Sequence, residues 1–220
     1  MNIIIHEEKG TLKNIREDFE KSKINFAASP DNPLDLFDTW LNLALDIDKN
    51  NAICFVLSTV SADSIPNSRV VLLRGLDKNG FTFYTNFNSS KAKDIELNNV
   101  VSANFFWNKL EKQVRIVGKA IKVADNISNH YFSSRPRSSQ LGSWLSNQSS
   151  KINFDKDFES EIIKIENKFK SKDVDRPKNW GGYCIIPDKI EFWQGRPSRL
   201  HDRLLYKKVE EIWKKERLSP

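Results

Sequence analysis

The sequence predicts a mainly β protein, an antiparallel barrel with helical additions in one domain, and three observations point there. Short runs of apolar and β-branched residues recur along most of the chain, turn residues separate them, and only a few stretches carry a helical period. The 220 residues can bury a sizeable core, and 39% hydrophobic content with six Trp and fourteen Phe supports a packed one.

Residues 1–30 have weak periodicity and read as a partly helical, mobile arm. Asn32-Pro33 is a helix start, an N-cap followed by Pro at the first position, and Leu34, Phe37, Trp40, Leu41, Ala44 and Leu45 mark one apolar face. Ala52 to Val60 and Ser68 to Leu76 read as strands. Asp77-Lys78-Asn79-Gly80 then turns the chain into Phe81-Thr82-Phe83-Tyr84, a hairpin. Ser89 can cap a short helix to about Leu97. Val100 to Trp107 and Gln113 to Val123 form a second strand pair joined by Asn108-Lys109-Leu110-Glu111. From Asp125 the pattern is helical and polar, broken at Arg135-Pro136, and a charged amphipathic helix covers about Phe154 to Lys170. Strands return at Gly182–Ile186, Ile190–Trp193, Leu204–Lys207 and near Ile212-Trp213-Lys214, with Pro187-Asp188 as the turn between the first two.

Several function classes are disfavoured. The longest apolar stretch, Ala52 to Leu57, is too short to span a bilayer. The N-terminus lacks the basic, apolar and small-residue pattern of a signal peptide. Cys54 and Cys184 lie in apolar strand-like runs and read as inert core thiols of a reducing compartment, so a cytoplasmic protein without a membrane partner is expected. The net charge of +6 is small for the length, and its 35 bases and 29 acids are interleaved, which argues against nucleic acid and suits an anionic small molecule. His6, His130 and His201 are scattered and neither Cys neighbours them, so no metal site is expected. Neither a Gly-x-Ser-x-Gly elbow nor a phosphate-binding Gly-rich loop is present.

Four segments carry groups that grip phosphates and flat heteroaromatic rings. Arg69-Val70-Val71-Leu72-Leu73-Arg74 has an Arg at each end. Their odd spacing predicts opposite faces of a strand, hence two anion sites separated by a wall. Tyr131 to Gln140 concentrates hydroxyls and guanidiniums at a helix break. Tyr131, Arg135 and Ser139 recur every fourth residue, which puts them on one helical side. Glu191-Phe192-Trp193-Gln194-Gly195 places a Trp before a Gly. Arg199-Leu200-His201-Asp202-Arg203 alternates, so Arg199, His201 and Arg203 are expected on one strand face, where an anion or electron-rich ring would relieve their repulsion. Surface ion pairs, a capped helix corner and a core aromatic are the bland alternatives for the first three; the fourth is hardest to explain as structure alone.

Together with Phe83-Tyr84-Thr85-Asn86, Gln113-Val114-Arg115, Asn147-Gln148-Ser149-Ser150, Trp180-Gly181-Gly182 and the ending Arg217-Leu218-Ser219-Pro220, these segments resemble the pyridoxine/pyridoxamine 5'-phosphate oxidase family from about Asn32 to Pro220 in unchanged order. The resemblance implies a split β-barrel over residues 31–220 and a homodimer with FMN between subunits. It also implies an oxidase of vitamin B6 metabolism that takes pyridoxine 5'-phosphate or pyridoxamine 5'-phosphate to pyridoxal 5'-phosphate, with O2 as acceptor and H2O2 as product. By the same resemblance the FMN contacts are Arg69, Val70, Val71, Leu72, Leu73, Arg74, Tyr84, Thr85, Ser90, Lys91, Gln113, Gln148, Ser149, Trp193 and Arg203. The implied substrate contacts are Arg74, Tyr131, Arg135, Ser139, Arg199, Leu200 and His201, with Arg199 and His201 as the catalytic pair and Arg16-Glu17-Asp18-Phe19 as a lid. Three positions depart from the family pattern: its usual Lys is Arg74, a common Arg is Ser90, and a common lid Tyr is Phe19. Rival readings are another split-barrel flavoprotein such as a flavin reductase, a non-catalytic flavin or pyridoxal-phosphate carrier, and a basic nucleic-acid-binding barrel.

Overall fold

Period-two alternation buries one face of a strand, and β5 (Val100–Trp107) and β6 (Lys112–Lys122) follow it, burying every second residue over most of their length. The computed structural model describes residues 18–220. Its other strands are β1 (Cys54–Val60), β2 (Pro66–Leu72), β3 (Gly75–Asp77), β4 (Gly80–Asn86), β7 (Trp180–Gln194), β8 (Asp202–Val209) and β9 (Ile212–Leu218). All nine join one antiparallel sheet in the order β2-β1-β5-β6-β7-β4-β3, with β8 added on β7 and β9 on β8.

Strand β7 is the spine. One edge pairs with β6 along nearly its whole length, whereas the other pairs with β4 up to Ile185 and with β8 from Lys189 onward. The change of partner opens the sheet there. Pro187-Asp188 is therefore not the expected turn; the strand runs through it. Proline has no N–H to give a ladder, and the register shifts where it sits, between Val117 and Gly118 of β6. A Cβ on Gly118 would lie 2.1 Å from the Ile186 carbonyl oxygen, so the close approach requires glycine.

Helix α1 (Pro33–Ile47) matches its sequence signals: the Asn32 side chain accepts from Leu34 N at 3.1 Å and Pro33 opens the first turn. Its apolar face enters the sheet's concave side. The Phe37 ring meets Phe81 at 4.8 Å and Phe105 at 5.0 Å, and Trp40 meets Phe192 at 5.2 Å. Edge contacts of this kind let large rings fill a curved interior. We expect Asn32→Ala to lower stability by about 1 kcal/mol through the lost cap, read as a shift in the urea midpoint at unchanged slope.

The remaining helices are α2 (Lys49–Ala52), α3 (Ser90–Leu97), α4 (Asp125–Ser134), α5 (Arg137–Leu145) and α6 (Phe158–Lys168). Helix α2 takes Ala52, so β1 begins at Cys54. Helix α6 starts later than Phe154 because the Asp157 carboxylate accepts from Glu159 N and Ser160 N and sets the start there. Phe132, Leu141, Phe169, Val174 and Trp180 form a second, smaller core beneath α4, α5 and α6. Residues 18–31 form neither helix nor strand, and the rest of the arm lies outside the described residues. Cys54 and Cys184 are half-buried rather than core thiols, and burial pushes the Cys184 thiol up. Among the described residues no helix is long and apolar enough to cross a membrane, and no cluster of three metal-ligating side chains occurs.

Candidate active site

Strands β2 and β4, helix α3 and the α4–α5 corner enclose a cleft of about 1050 Å³. Arg69 and Arg74 both line it, contrary to the opposite-face expectation. The reason is local: β2 ends at Leu72, Leu73 N donates to Ile53 O on one side, and Arg74 N donates to Thr82 O on the other. A chain that changes partner between consecutive residues loses strand alternation. Leu73 goes into the core, while Val70, Val71 and Leu72 stay at the cleft wall.

A chain of polar groups holds the first cationic pair. Arg69 Nη1 donates to Thr59 Oγ1 at 2.7 Å, Thr59 Oγ1 donates to Asp94 Oδ2 at 2.6 Å, and Asp94 lies 3.9 Å from Arg69 Nη2. Lys91 Nζ donates to Thr85 Oγ1 at 3.1 Å and to Gln148 Oε1 at 3.2 Å. Lys91 is 8% exposed, and burial followed by the Arg69 charge holds its ammonium below the usual lysine range. Both cations stand at the head of α3, where Ser90 N donates to Ser149 Oγ at 3.3 Å and free N–H groups favour anions. Ser149 is turned there by a left-handed φ of 69°.

The second pair joins Arg74, which follows β2, to Arg135 of the α4–α5 corner. Arg135 caps α4 and precedes Pro136, so Tyr131, Arg135 and Ser139 do not lie on one helix; two helices meeting at the break bring them to the same cleft. Tyr131 stacks on Tyr84 at 3.9 Å, and Tyr84 on Trp180 at 5.3 Å. The Arg135 guanidinium sits 4.6 Å over the Trp180 ring and donates to Ser143 Oγ at 2.8 Å. Burial depresses its pKa, Tyr131 opposes this, and the charge of Arg74 adds to the depression. Four cations thus share one cleft that no carboxylate lines among the described residues, an arrangement suited to anionic ligands.

Gln113, Trp193, Arg199, Leu200, His201 and Arg203 do not line this cleft. Trp180 and Trp193 stand at opposite ends of β7, roughly 40 Å apart along the strand path at ~3.3 Å per residue. At the far end Gln113 pairs with Trp193 and Trp193 with Arg203 in register. The Trp193 ring meets His201 at 4.6 Å, and Phe19 meets both, at 5.7 and 5.9 Å. Arg199 and His201 are not on a strand: Pro197 starts a tight turn, Ser198 and Arg199 adopt φ of 57° and 61°, and β8 begins only at Asp202. Their expected shared face with Arg203 is therefore lost. Arg203 Nε is engaged by Glu191 at 2.8 Å, and Arg115 binds the other Glu191 oxygen at 3.3 Å. Arg16 and Glu17 lie outside the described residues; Asp18 is exposed.

The sequence reading missed Thr59, Asp94, Ser143 and Trp180 as site members. Asp94 had a usable signal: it follows Lys91 by one helical turn, and polar residues on the buried side of a short helix ask for partners.

The chain matches two family descriptions, "Pyridoxamine 5'-phosphate oxidase" over residues 48–166 and "Pyridoxine 5'-phosphate oxidase C-terminal dimerisation region" over residues 180–220. A curated pyridoxine/pyridoxamine 5'-phosphate oxidase from Christiangramia forsetii is 46% identical, covering 95% of this chain and 98% of that protein. One of the same name from Acaryochloris marina is 41% identical, covering 99% of each. Among solved structures, PhzG from Burkholderia lata 383 in complex with tetrahydrophenazine-1-carboxylic acid superposes with a TM-score of 0.84 at 23% identity, covering 91% of this chain and 100% of that one. A pyridoxamine 5'-phosphate oxidase-related, FMN binding protein from Nostoc punctiforme gives 0.68 at 17%, covering 84% and 97%. These two show the fold, an antiparallel split β-barrel with added helices. The full-length identity carries more: this chain belongs to the pyridoxine/pyridoxamine 5'-phosphate oxidase family of oxidoreductases.

Proposed function

We propose that this protein is an FMN-dependent oxidase that converts pyridoxine 5'-phosphate and pyridoxamine 5'-phosphate to pyridoxal 5'-phosphate, with O2 as electron acceptor and H2O2 as product. The observation that carries the reading is the pairing of two cationic clusters in one cleft, Arg69 with Lys91 and Arg74 with Arg135. A flavin mononucleotide and a pyridoxyl phosphate bring one phosphate each.

The residues fit FMN. Ser89 Oγ, at the head of α3 beside Ser90 and Lys91, is buried with no hydrogen-bond partner among the described residues, a donor left for a phosphate oxygen. Arg69, Lys91 and Ser149 would hold that phosphate, with Thr85 and Gln148 holding Lys91 in place. The bound flavin supplies the hydride acceptor that no side chain offers. Tyr131, Arg135, Ser139 and Arg74 would grip the substrate phosphate. Arg199 and His201 would orient the pyridine ring and its C4' substituent, with the Trp193 and Phe19 rings flanking the His201 imidazole.

Because the Trp193–His201 cluster lies at the far end of β7, we infer that the working unit is a homodimer in which each copy completes the other's cleft. The matched dimerisation region, residues 180–220, contains Trp193, Arg199, His201 and Arg203 of that cluster. Residues 31–220 then act as one FMN-binding domain, and the arm before them, through Phe19, as the cover of the substrate.

The test is the visible spectrum of purified protein with oxygen uptake on adding pyridoxine 5'-phosphate. We expect a yellow protein that releases FMN on denaturation and generates peroxide under air. A colourless protein that cannot be reconstituted with FMN would sink the reading. A yellow one that ignores the phosphorylated substrate would favour a flavin reductase or carrier.

A further inference from the structure

Arg196 touches both the His201 imidazole and the segment that carries Ser22. Its backbone N–H donates to His201 Nδ1 at 3.2 Å, while its Nη1 donates to Ser22 O at 3.1 Å. Its Nε lies 3.6 Å from Asp202 Oδ2, and the same carboxylate oxygen accepts from Ile24 N at 3.2 Å. Asp202 is 8% exposed and is also approached by Arg217 at 3.6 Å, so the carboxylate is a fixed, charged anchor. Main chain and side chain of one residue therefore bind segment 19–24 and the imidazole to each other.

The first of these bonds has a chemical consequence. A backbone N–H only donates, so Nδ1 presents its lone pair, and the single proton of the neutral ring sits on Nε2. Burial, then the charge of Arg199, hold the imidazole below its ordinary pKa and so favour this neutral form. Nε2 has no hydrogen-bond partner among the described residues, whereas the Trp193 and Phe19 rings flank the imidazole at 4.6 and 5.9 Å.

We propose that His201 acts as a hydrogen-bond donor through Nε2 toward an oxygen of the substrate, and that Arg196 is the positioning residue that fixes this tautomer and fastens Phe19–Ile24 beside it. An Nε2 that already carries a proton cannot take one, so His201 steadies an electron-rich oxygen and is not the general base. The identity of that oxygen rests on the oxidase reading; the tautomer does not.

The test uses the FMN-loaded full-length protein labelled with 15N at histidine, with the His201 signals assigned by their loss in His201→Gln. Long-range 1H–15N spectra above the imidazole's pKa should show a bare Nδ1 and a protonated Nε2; the opposite tautomer overturns the proposal. Arg196→Ala keeps the backbone N–H but removes both side-chain anchors. It should preserve the tautomer and raise KM for pyridoxine 5'-phosphate about tenfold, with kcat nearly unchanged and part of the loss recovered in Arg196→Lys. An unchanged KM, or a fall in kcat as large as the rise in KM, removes Arg196 from the positioning role. His201→Gln, which keeps a donor where Nε2 was, should outperform His201→Asn, which keeps only the acceptor facing Arg196; the reverse order also overturns the proposal. The expected tautomer in a protein that does not oxidise pyridoxine 5'-phosphate would leave this inference standing and end the oxidase reading.

Discussion

Replacing Arg135 with alanine should weaken pyridoxine 5'-phosphate by about tenfold to a hundredfold, since hydrogen bonds to charged groups contribute roughly 1.5–3 kcal/mol and about 1.4 kcal/mol is one decade. FMN affinity should barely change. Arg135 is built as a preorganised clamp: its guanidinium lies over Trp180, Ser143 fixes one nitrogen, and Pro136 stiffens the backbone beside it. Little rotamer freedom is left to lose on binding, so most of its interaction with a phosphate appears as affinity. Unphosphorylated pyridoxine should be a poor substrate for wild type and should lose little more in the variant. The comparison of both substrates, with an FMN titration alongside, decides it. A variant that lost FMN and kept substrate affinity would show the two phosphate subsites to be assigned the wrong way round.

Lys91→Met should produce the converse: FMN weakened by about tenfold to a hundredfold, with KM for substrate little affected in the fraction that retains flavin. Methionine conserves the buried aliphatic volume, so the fold should survive; only the charge and its bonds to Thr85 and Gln148 are removed. The lysine also makes a pH signature. Its pKa is depressed by burial first and by Arg69 second, so the ammonium is lost at lower pH than an exposed lysine would allow. Phosphate binds the protonated form, hence wild-type FMN affinity should fall as pH rises through that depressed pKa, and Lys91→Met should not show this step. Quenching of flavin fluorescence across pH measures both. A wild-type affinity flat through the alkaline range would remove Lys91 from the phosphate subsite.

The sheet was readable because its period-two runs and turn residues are local signals, as at Asp77-Lys78-Asn79-Gly80, where the Asp77 carboxylate accepts from Asn79 N at 2.7 Å to make the hairpin turn. What escaped were features decided by partners distant in sequence. Pro187-Asp188 has every local mark of a turn, yet β6 lies alongside and holds the strand straight through it. Arg74 breaks alternation because Thr82 captures its N–H. The Arg199–His201 stretch alternates like a strand, but Pro197 and two left-handed residues turn it into a loop. The candidate side chains could be named from their chemistry, whereas the distance of Trp193, Arg199, His201 and Arg203 from the cleft that Arg69 and Arg135 line depends on how far one strand reaches.

That reach has a genetic consequence. If β7 carries one half of a reaction centre at each end, a two-fold pair of chains owns two centres, each assembled from one end of either spine. A chain with Arg135→Ala and a chain with His201→Ala are then each impaired in both centres as pure pairs, for defects at opposite ends. Mixed pairs place both lesions in one centre and leave the other whole. Coexpressing the two should therefore restore, at limiting substrate, turnover above that of either parent, whereas two lesions at the same end, Arg135→Ala with Tyr131→Ala, should fail to complement.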